Sequence, residues 1–283
     1  MKLIGILLLT ILPQVSTAVQ KQLTFAVMGD VPYSAPEYLR LKGQLKQLPK
    51  PVRFVMHVGD IKPGTGPCVE TIYTSLAAIL RQSPKPLFIL PGDNEWNDCE
   101  FPKNGWKFWS KHLALFDQKF EHDLRVSRQK ERTENIVWLK NEILFVGLSL
   151  VGGRVHDQSE WDAFLKDAAD WIEKSYSSKA VFKAVVVFAH AFPSQSRHGA
   201  FAKRFISASR KLDRPILYIH GDGHKWRKDN PFANAPKVIR VQLTQGGKED
   251  PLLVTVKPNI ARGHRCMSGV PRACSAEDND LKN

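Results

Sequence analysis

After its first 18 residues, the sequence has no apolar run long enough to cross a membrane as a helix. Such a helix needs about 20 consecutive apolar residues, and the later apolar runs are short and bounded by glycine, proline or charged residues. The sequence also has no internal repeat and no low-complexity linker. These absences favour one domain, over residues 19–258, followed by a polar tail over residues 259–283.

The first 18 residues have the pattern of a signal peptide. Lys2 is followed by an apolar stretch from Leu3 to Leu12, and Ser16 and Ala18 are small residues before a cleavage point after Ala18. The alternative is an uncleaved membrane anchor, for which the apolar stretch is short. We therefore expect an exported protein, periplasmic or extracellular, with no transmembrane segment after cleavage.

Cysteine is scarce, with four residues in the whole chain and no C-x-x-C spacing. This absence argues against a zinc site held by cysteines. An even number of cysteines in an exported chain predicts disulfides, for which four cysteines allow three pairings. Cys266 and Cys274 lie close together in the polar tail, whereas Cys68 and Cys99 each follow a polar motif at a strand end. A bridge between the latter two would join two loops.

Acidic residues are outnumbered, with 28 Asp and Glu against 41 Lys and Arg, and the net charge is +13. The basic residues are scattered and form no long Lys/Arg block, which argues against nucleic acid as the main partner. This excess of basic residues is typical of a soluble basic exported protein, or of a protein that attracts anions such as phosphate esters.

Short apolar runs rich in β-branched residues recur along the chain and are typical of strands covered on both faces. Helical patterns separate the early runs; one of them spans Gly105–Phe120. The longest, Glu160–Tyr176, has an apolar face that includes Trp161 and Ile172. The later runs follow one another directly. This order predicts an α/β layered fold with one mixed sheet or two stacked sheets.

Five of the predicted strands are followed at once by Asp or His. The carboxyl ends of strands converge in α/β sheets, so these side chains are expected to meet. Clustered carboxylates repel one another unless a cation lies among them, and a mixed oxygen and imidazole set suits Zn²⁺, Mn²⁺ or Fe. The polar residues at these ends are Asp30, His57, Asp60, Asp93, Asn94, His190, His220, Asp222 and His224.

The motifs GDVPY, HVGD, GDNE, HAFP and GDGH, in this order, resemble those of the calcineurin-like metallophosphoesterases. The resemblance spans Asp30 to His224. It implies a four-layer α-β-β-α sandwich, with two mixed sheets flanked by helices. It also implies two divalent metal ions (Mn, Mg, Zn or Fe) and hydrolysis of a phosphate mono- or diester by a metal-bridging hydroxide.

The resemblance further implies which residues bind the metals. Asp60 falls on the position that bridges both ions, and Asp30 and His224 fall on ligands of the first ion. The implied ligands of the second ion are Asp93, His190 and Asp222.

Three positions depart from the family pattern. Pro32 replaces a histidine ligand of the first metal and has no donor, so this metal loses one ligand unless Tyr33 or water replaces it; a tyrosine phenolate would indicate ferric iron. Asp93 replaces an asparagine ligand, and Asp222 replaces a histidine. The added carboxylates favour harder ions such as Mg²⁺ or Mn²⁺ at the second site.

A fourth departure concerns catalysis. Asn94 stands where the family has a histidine that assists the leaving group, and an amide cannot give up a proton at neutral pH. His57 or His220 could compensate, or each could be a packed core residue. A second hypothesis follows, in which the protein is a metal-stabilised binding or scaffold protein with little or no turnover.

Three cations lie close in sequence to the motifs and are candidates for substrate binding, although each could be an ordinary solvated side chain. They are Lys62, Lys225 and Arg227. Trp96, beside the third motif, could stack on a substrate or pack beneath the loop.

Overall fold

The computed structural model describes residues 22–178, 180–195 and 197–257. Its first sheet has four strands in the order β11-β1-β2-β3. The inner strands pair in parallel, and the last strand of the chain pairs antiparallel with the first. These strands are β1 (Leu23–Met28), β2 (Val52–His57), β3 (Leu87–Ile89) and β11 (Leu252–Val256).

The second sheet has seven strands in the order β4-β5-β6-β7-β8-β10-β9. Its four central strands run parallel, and the strands toward both edges are antiparallel to their neighbours. The strands are β4 (Ser127–Arg128), β5 (Ile136–Lys140), β6 (Ile143–Gly147), β7 (Ala184–Ala189), β8 (Ile216–His220), β9 (Arg227–Asp229) and β10 (Val238–Gln242).

Aromatic side chains from both sheets pack together between them. The rings of Phe25 and Phe54, from the first sheet, stack at 5.1 Å between centroids. Phe54 meets Phe145 of the second sheet edge-on at 5.4 Å, and Phe25 meets Phe188 in the same way at 5.6 Å. Each such pair contributes roughly 0.5–1.5 kcal/mol beyond the apolar area it buries. The two sheets therefore share one core.

Helices cover the outer face of each sheet. The first three pack on the first sheet through residues such as Leu41, Leu76 and Trp109, and the last two pack on the second sheet through residues such as Phe164 and Phe205. This arrangement confirms the four-layer α-β-β-α sandwich. The helices are α1 (Ala35–Lys46), α2 (Glu70–Leu80), α3 (Pro102–His112), α4 (Gln158–Tyr176) and α5 (Gly199–Leu212).

The longest helix agrees with its apolar pattern. Trp161 and Ile172 are buried on α4, and the helix begins two residues before the predicted start because the Asp157 side chain accepts a hydrogen bond from the Glu160 amide. The helix predicted over residues 105–120 begins three residues too late and is wrong at its end, because α3 spans Pro102–His112. Leu115 adopts a left-handed φ of 54°, which ends the regular path, and a short 3₁₀ turn follows over Phe116–Lys119.

Two of the sequence-based predictions lie outside the described residues. These are the signal peptide over residues 1–18 and the polar tail over residues 259–283 with Cys266 and Cys274. Among the described residues, no helix is both long and apolar enough to span a bilayer.

The shared aromatic core can be tested at Phe54, which contacts aromatic rings of both sheets. We expect Phe54→Ala to lower the free energy of unfolding by about 3–5 kcal/mol, because the change leaves a cavity between the sheets. Leu39→Ala is the control, since Leu39 is 75% exposed, and it should change stability by less than about 0.5 kcal/mol. Urea unfolding measures both, and equal effects would contradict the shared core.

Candidate metal centre

Acidic and imidazole side chains meet where strands of the two sheets end. Asp30, Asp60 and Asp93 follow β1, β2 and β3, whereas His190 follows β7 and Asp222 follows β8. Asp30, Asp60, Asp93 and His190 are buried. The structure thus brings together residues from five segments that are far apart in the sequence.

Sharp turns aim several of these side chains into the centre. Asp30, Asp60, Asp222 and His224 all have left-handed backbone conformations, with φ between 55° and 66°. Such a conformation costs an ordinary residue roughly 1–2 kcal/mol, and Asp and His tolerate it better than most. Four residues in this conformation at one site indicate that the backbone at the strand ends is arranged to direct their side chains into the centre.

The backbone after β3 passes so close to Asp60 that position 92 requires a glycine. A Cβ atom at Gly92 would collide with the backbone and carboxylate of Asp60. Glu95 completes this junction, because its buried carboxylate accepts hydrogen bonds from the Gly92 amide at 2.6 Å and from the Asp60 amide at 3.3 Å. Glu95 belongs to the GDNE motif, but its place in the sequence alone indicated no role for it.

Two groups of possible metal ligands are present among the described residues. One consists of Asp30, Asp60 and His190, and the other of Asp93, His190 and Asp222; within each group, donor atoms lie within 4.8 Å of one another. His190 belongs to both, but its Nε2 is closer to Asp93 Oδ1, at 2.7 Å, than to Asp60 Oδ1, at 3.3 Å. We therefore group His190 with Asp93 and Asp222.

The donor atoms at the centre fit a cation. Asp30 Oδ2, Asp93 Oδ1 and His190 Nε2 are buried and have no hydrogen-bond partner. His190 Nδ1 lies 2.9 Å from the Val58 carbonyl and donates to it, so Nε2 faces Asp93 Oδ1 at 2.7 Å. Burial opposes a charge on His190, but the carboxylates of Asp60 and Asp93 raise its pKa. Either a proton on Nε2 or a bound cation relieves the repulsion between these two atoms.

The first group extends to two further side chains. His224 Nε2 lies 3.1 Å from Asp30 Oδ1, and the His224 side chain is 41% exposed. The Tyr33 hydroxyl lies 2.8 Å from Asp60 Oδ2 and 3.2 Å from His224 Nε2. Burial raises the pKa of Tyr33 well above its ordinary value, and the neighbouring carboxylates of Asp60 and Asp30 raise it further.

Asn94 lies beside the centre and orients Asp60. Its side-chain amide donates to Asp60 Oδ2 at 2.5 Å and to the Lys62 carbonyl at 3.0 Å. Its backbone amide donates to Asp60 Oδ1 at 3.1 Å. Asn94 therefore holds the carboxylate by two bonds, and both of its amide hydrogens are used.

His57 and His220 are placed as core residues. His57 Nε2 lies 3.0 Å from the Val31 carbonyl and its Nδ1 accepts from the Gly59 amide, while His220 Nδ1 lies 2.9 Å from the Gly221 carbonyl. Burial lowers the pKa of His57 to about 4 and that of His220 to about 3. Both rings are held by backbone groups, which favours the core role considered for them, and a catalytic role for His57 stays a prediction.

The three candidate cations have different surroundings. Lys62 is buried, and its ammonium donates to the carbonyls of Pro63 at 2.6 Å and Asn94 at 3.1 Å. It therefore supports the loop, and we no longer expect it to bind substrate. Lys225 and Arg227 are exposed, which leaves their substrate role a prediction.

Trp96 and the cysteines lie behind the centre. Trp96 is buried and packs on Trp106 at 4.7 Å between centroids, so it is a packing residue and offers no open stacking face. A disulfide joins Cys68 to Cys99, which is one of the three pairings that the sequence allowed. It ties the loop after β2 to the loop after β3.

A sequence model of the calcineurin-like phosphoesterases matches residues 23–226. The chain belongs to the calcineurin-like phosphoesterase family. This assignment confirms the resemblance carried by the five motifs. No curated protein sequence matches the chain significantly.

Solved structures share the fold at low sequence identity. GAP50, described as the anchor in the inner membrane complex of Plasmodium, is 13% identical with a TM-score of 0.51, covering 87% of this chain and 89% of its own. The purple acid phosphatase PPD1 from yellow lupin seeds is 13% identical with a TM-score of 0.52, covering 84% of this chain and 50% of its own. At these identities the likeness shows the fold alone.

The centre predicts a stabilisation by metal that depends on Asp60. At a metal concentration about 100 times the Kd, binding adds about 2.7 kcal/mol, which raises the Tm of a domain of this size by roughly 5–10 °C. We expect Asp60→Asn to lose most of this shift, measured by calorimetry with and without EDTA. Asp250→Asn is the control because the Asp250 side chain is 84% exposed. A full shift in Asp60→Asn would contradict the assignment.

Proposed function

We propose that this family member is an exported, metal-dependent phosphoesterase that hydrolyses phosphate mono- or diesters. The observation that carries the proposal is the set of buried, unpartnered donor atoms of Asp30, Asp93 and His190 beside Asp60. A cluster of this composition suits divalent cations, and the family membership supports phosphate esters as the substrate class. The basic net charge of +13 favours an anionic substrate.

We assign two cation positions to the centre. Asp30 and His224 would hold the first, Asp93, His190 and Asp222 would hold the second, and Asp60 would be shared. The two oxygens of Asp60 support this division, because Oδ1 lies toward His190 and Oδ2 toward Tyr33. When bound, divalent cations such as Mn²⁺, Mg²⁺, Zn²⁺ or Fe²⁺ would neutralise phosphoryl charge and activate water.

The residues around the centre orient Asp60 and restrict the chemistry that the centre can perform. Asn94 and Glu95 hold the loop that carries Asp60, so the carboxylate is oriented before substrate arrives. Asn94 is an amide and His57 is sequestered by backbone atoms, so neither residue is placed to protonate a leaving group. Substrates with good leaving groups are therefore favoured.

Export is part of the proposal. The disulfide between Cys68 and Cys99 suits an oxidising compartment, and the first 18 residues have the signal-peptide pattern. Together they support a periplasmic or extracellular location.

The second candidate function is a metal-stabilised binding or scaffold protein. The Asn94 amide donates to Asp60, to the Lys62 carbonyl and, at 3.3 Å, to the Tyr33 hydroxyl, which favours a supporting role for Asn94 over contact with a leaving group. The anchor protein GAP50 has the same fold. A measurement of phosphate-ester hydrolysis distinguishes the phosphoesterase from the binding or scaffold protein.

The missing acid predicts a strong dependence on the leaving group. We expect the Mn²⁺-loaded protein to hydrolyse aryl phosphates, and to hydrolyse alkyl phosphates more slowly by a factor that includes the lost acid catalysis, about 10²–10⁴. Asn94→His should raise the alkyl rate more than the aryl rate. Steady-state kinetics on matched aryl and alkyl mono- and diesters measure this difference.

Asp60→Asn is the inactive control for these assays. Bound metal without turnover on any of these esters, and without recovery in Asn94→His, would contradict the phosphoesterase and support the scaffold. Equal aryl and alkyl rates in the wild-type protein would contradict the absence of an acid.

A further inference from the structure

Two arginines line a cavity beside the centre. Arg154 lies in the loop between β6 and α4, and Arg197 lies just before α5. The cavity has a volume of about 410 Å³, which is within the usual range of ligand pockets. Its other lining residues are Val155, Gln158 and Trp161, so none of the described residues that line it is acidic.

The loops that carry the two arginines contact Asp222. A Cβ atom at Gly152, two residues before Arg154, would come within 3.0 Å of Asp222 Oδ2. Gln195, two residues before Arg197, donates a hydrogen bond from its side chain to the same oxygen. Two residues of chain span at most about 7 Å. The backbone of each arginine is therefore within about 7 Å of a residue that contacts Asp222.

Backbone carbonyls hold the two guanidinium groups. Arg154 donates from Nε to the Asn97 carbonyl at 2.8 Å and from Nη2 to the Cys99 carbonyl. Arg197 donates from Nη1 to the Gly153 carbonyl at 2.6 Å. A guanidinium has five N–H donors, so most of these donors remain for another acceptor.

The acidic side chains near the cavity are engaged by other groups. Asp98 accepts a hydrogen bond from the backbone amide of Arg154 at 2.7 Å, not from its guanidinium. At the start of α4, Asp157 accepts from the Glu160 amide at 3.0 Å, and Glu160 contacts His156 at 2.9 Å. Neither cavity arginine forms an ion pair with a carboxylate in the described part of the chain.

Buried neighbours fix the backbone that carries Arg197. The Trp161 indole donates to the Arg197 carbonyl at 3.2 Å. His198 is buried, its ring stacks on Trp161 at 5.5 Å between centroids, and its Nε2 lies 2.9 Å from the Val151 carbonyl. A site that is ordered before its ligand arrives loses less entropy on binding.

We infer that Arg154 and Arg197 bind a second phosphate group of the substrate while the ester to be hydrolysed lies at the metal centre. A phosphate monoester carries nearly two negative charges at pH 7, which match two guanidinium groups, whereas a carboxylate carries one. Arginine also binds phosphate oxygens through two parallel hydrogen bonds. The inference rests on the proposed function and narrows its substrate class to compounds with two phosphate groups.

The binding test uses alkane diphosphonates of increasing chain length, which carry two phosphonate groups and cannot be hydrolysed. Hydroxyalkylphosphonates of the same lengths carry one phosphonate group. Titration calorimetry on the protein in excess Mg²⁺ measures both affinities. We expect the best diphosphonate to bind about 10–100-fold more tightly than its hydroxyl counterpart, because it gains charge-assisted hydrogen bonds to one more anion. Arg197→Gln should remove most of this ratio.

Arg210→Gln is the matched control, because Arg210 is an exposed residue near the end of α5 and the substitution removes the same charge. It should keep the affinity ratio of the wild-type protein. Arg154→Gln is the second variant and should also lower the ratio. Its Tm is measured alongside, because Arg154 also supports the loop that contains Cys99.

A kinetic test connects the cavity to the ester. Phenyl phosphate substituted with a phosphonomethyl group is compared with the same ester substituted with a hydroxymethyl group, both with Mn²⁺. We expect the KM of the phosphonomethyl ester to be lower by about tenfold or more. The KM ratio should approach one in Arg197→Gln and persist in Arg210→Gln.

The outcomes separate this inference from the proposed function. Hydrolysis of both esters with equal KM would overturn the inference and leave the phosphoesterase standing, as would a KM ratio that Arg197→Gln and Arg154→Gln do not change. A diphosphonate preference that depends on the arginines, without hydrolysis of either ester, would refute the phosphoesterase and leave the phosphate site standing. Equal phosphonate affinities without hydrolysis would refute both.

Discussion

Repulsion among clustered carboxylates is the constraint on which the centre depends. Asp30, Asp60 and Asp93 are buried close together, with Asp222 nearby. Two unit charges 4 Å apart interact by about 4 kcal/mol at an effective dielectric constant near 20, which is a large part of a typical folding free energy of about 5–15 kcal/mol. Burial and the neighbouring carboxylates raise the pKa of Asp60, so either a proton or a cation offsets this repulsion in the folded protein.

The fold holds the carboxylates together through packing that lies elsewhere. The aromatic core between the sheets fixes the strand ends relative to one another, and the disulfide between Cys68 and Cys99 joins the loops after β2 and β3. Backbone hydrogen bonds to Glu95 and His57 complete the support. Asp30, Asp60, Asp93 and His190 are all buried within this support.

The departures from the family pattern form one connected arrangement. Asn94 orients Asp60, and Tyr33 contacts the same Asp60 oxygen that Asn94 contacts. Replacing a histidine by Asn94 removes an acid but keeps a hydrogen-bond donor to the shared carboxylate. Tyr33, next to Pro32, and Asn94 thus meet at one atom, Asp60 Oδ2.

The sequence was enough to predict the layered fold and the grouping of Asp and His at strand ends. The reason is that the spacing of apolar residues and the residues that form turns are local properties of the chain. The end of α3 at His112 was not predictable, since Leu113 and Phe116 are buried beyond the helix and continue its apolar pattern. The roles of His57 and Lys62 were not predictable either, because a side chain's partners come from distant segments.

The sequence by itself determined the family, through five short motifs in order, and determined which residue types stand at each strand end. Only the tertiary structure decided where each donor atom lies: which oxygen of Asp60 faces His190, that Cys68 pairs with Cys99, and that the Tyr33 hydroxyl contacts Asp60. The physical reason is that these contacts join segments whose separation is set by the packing of two sheets, which no local pattern encodes.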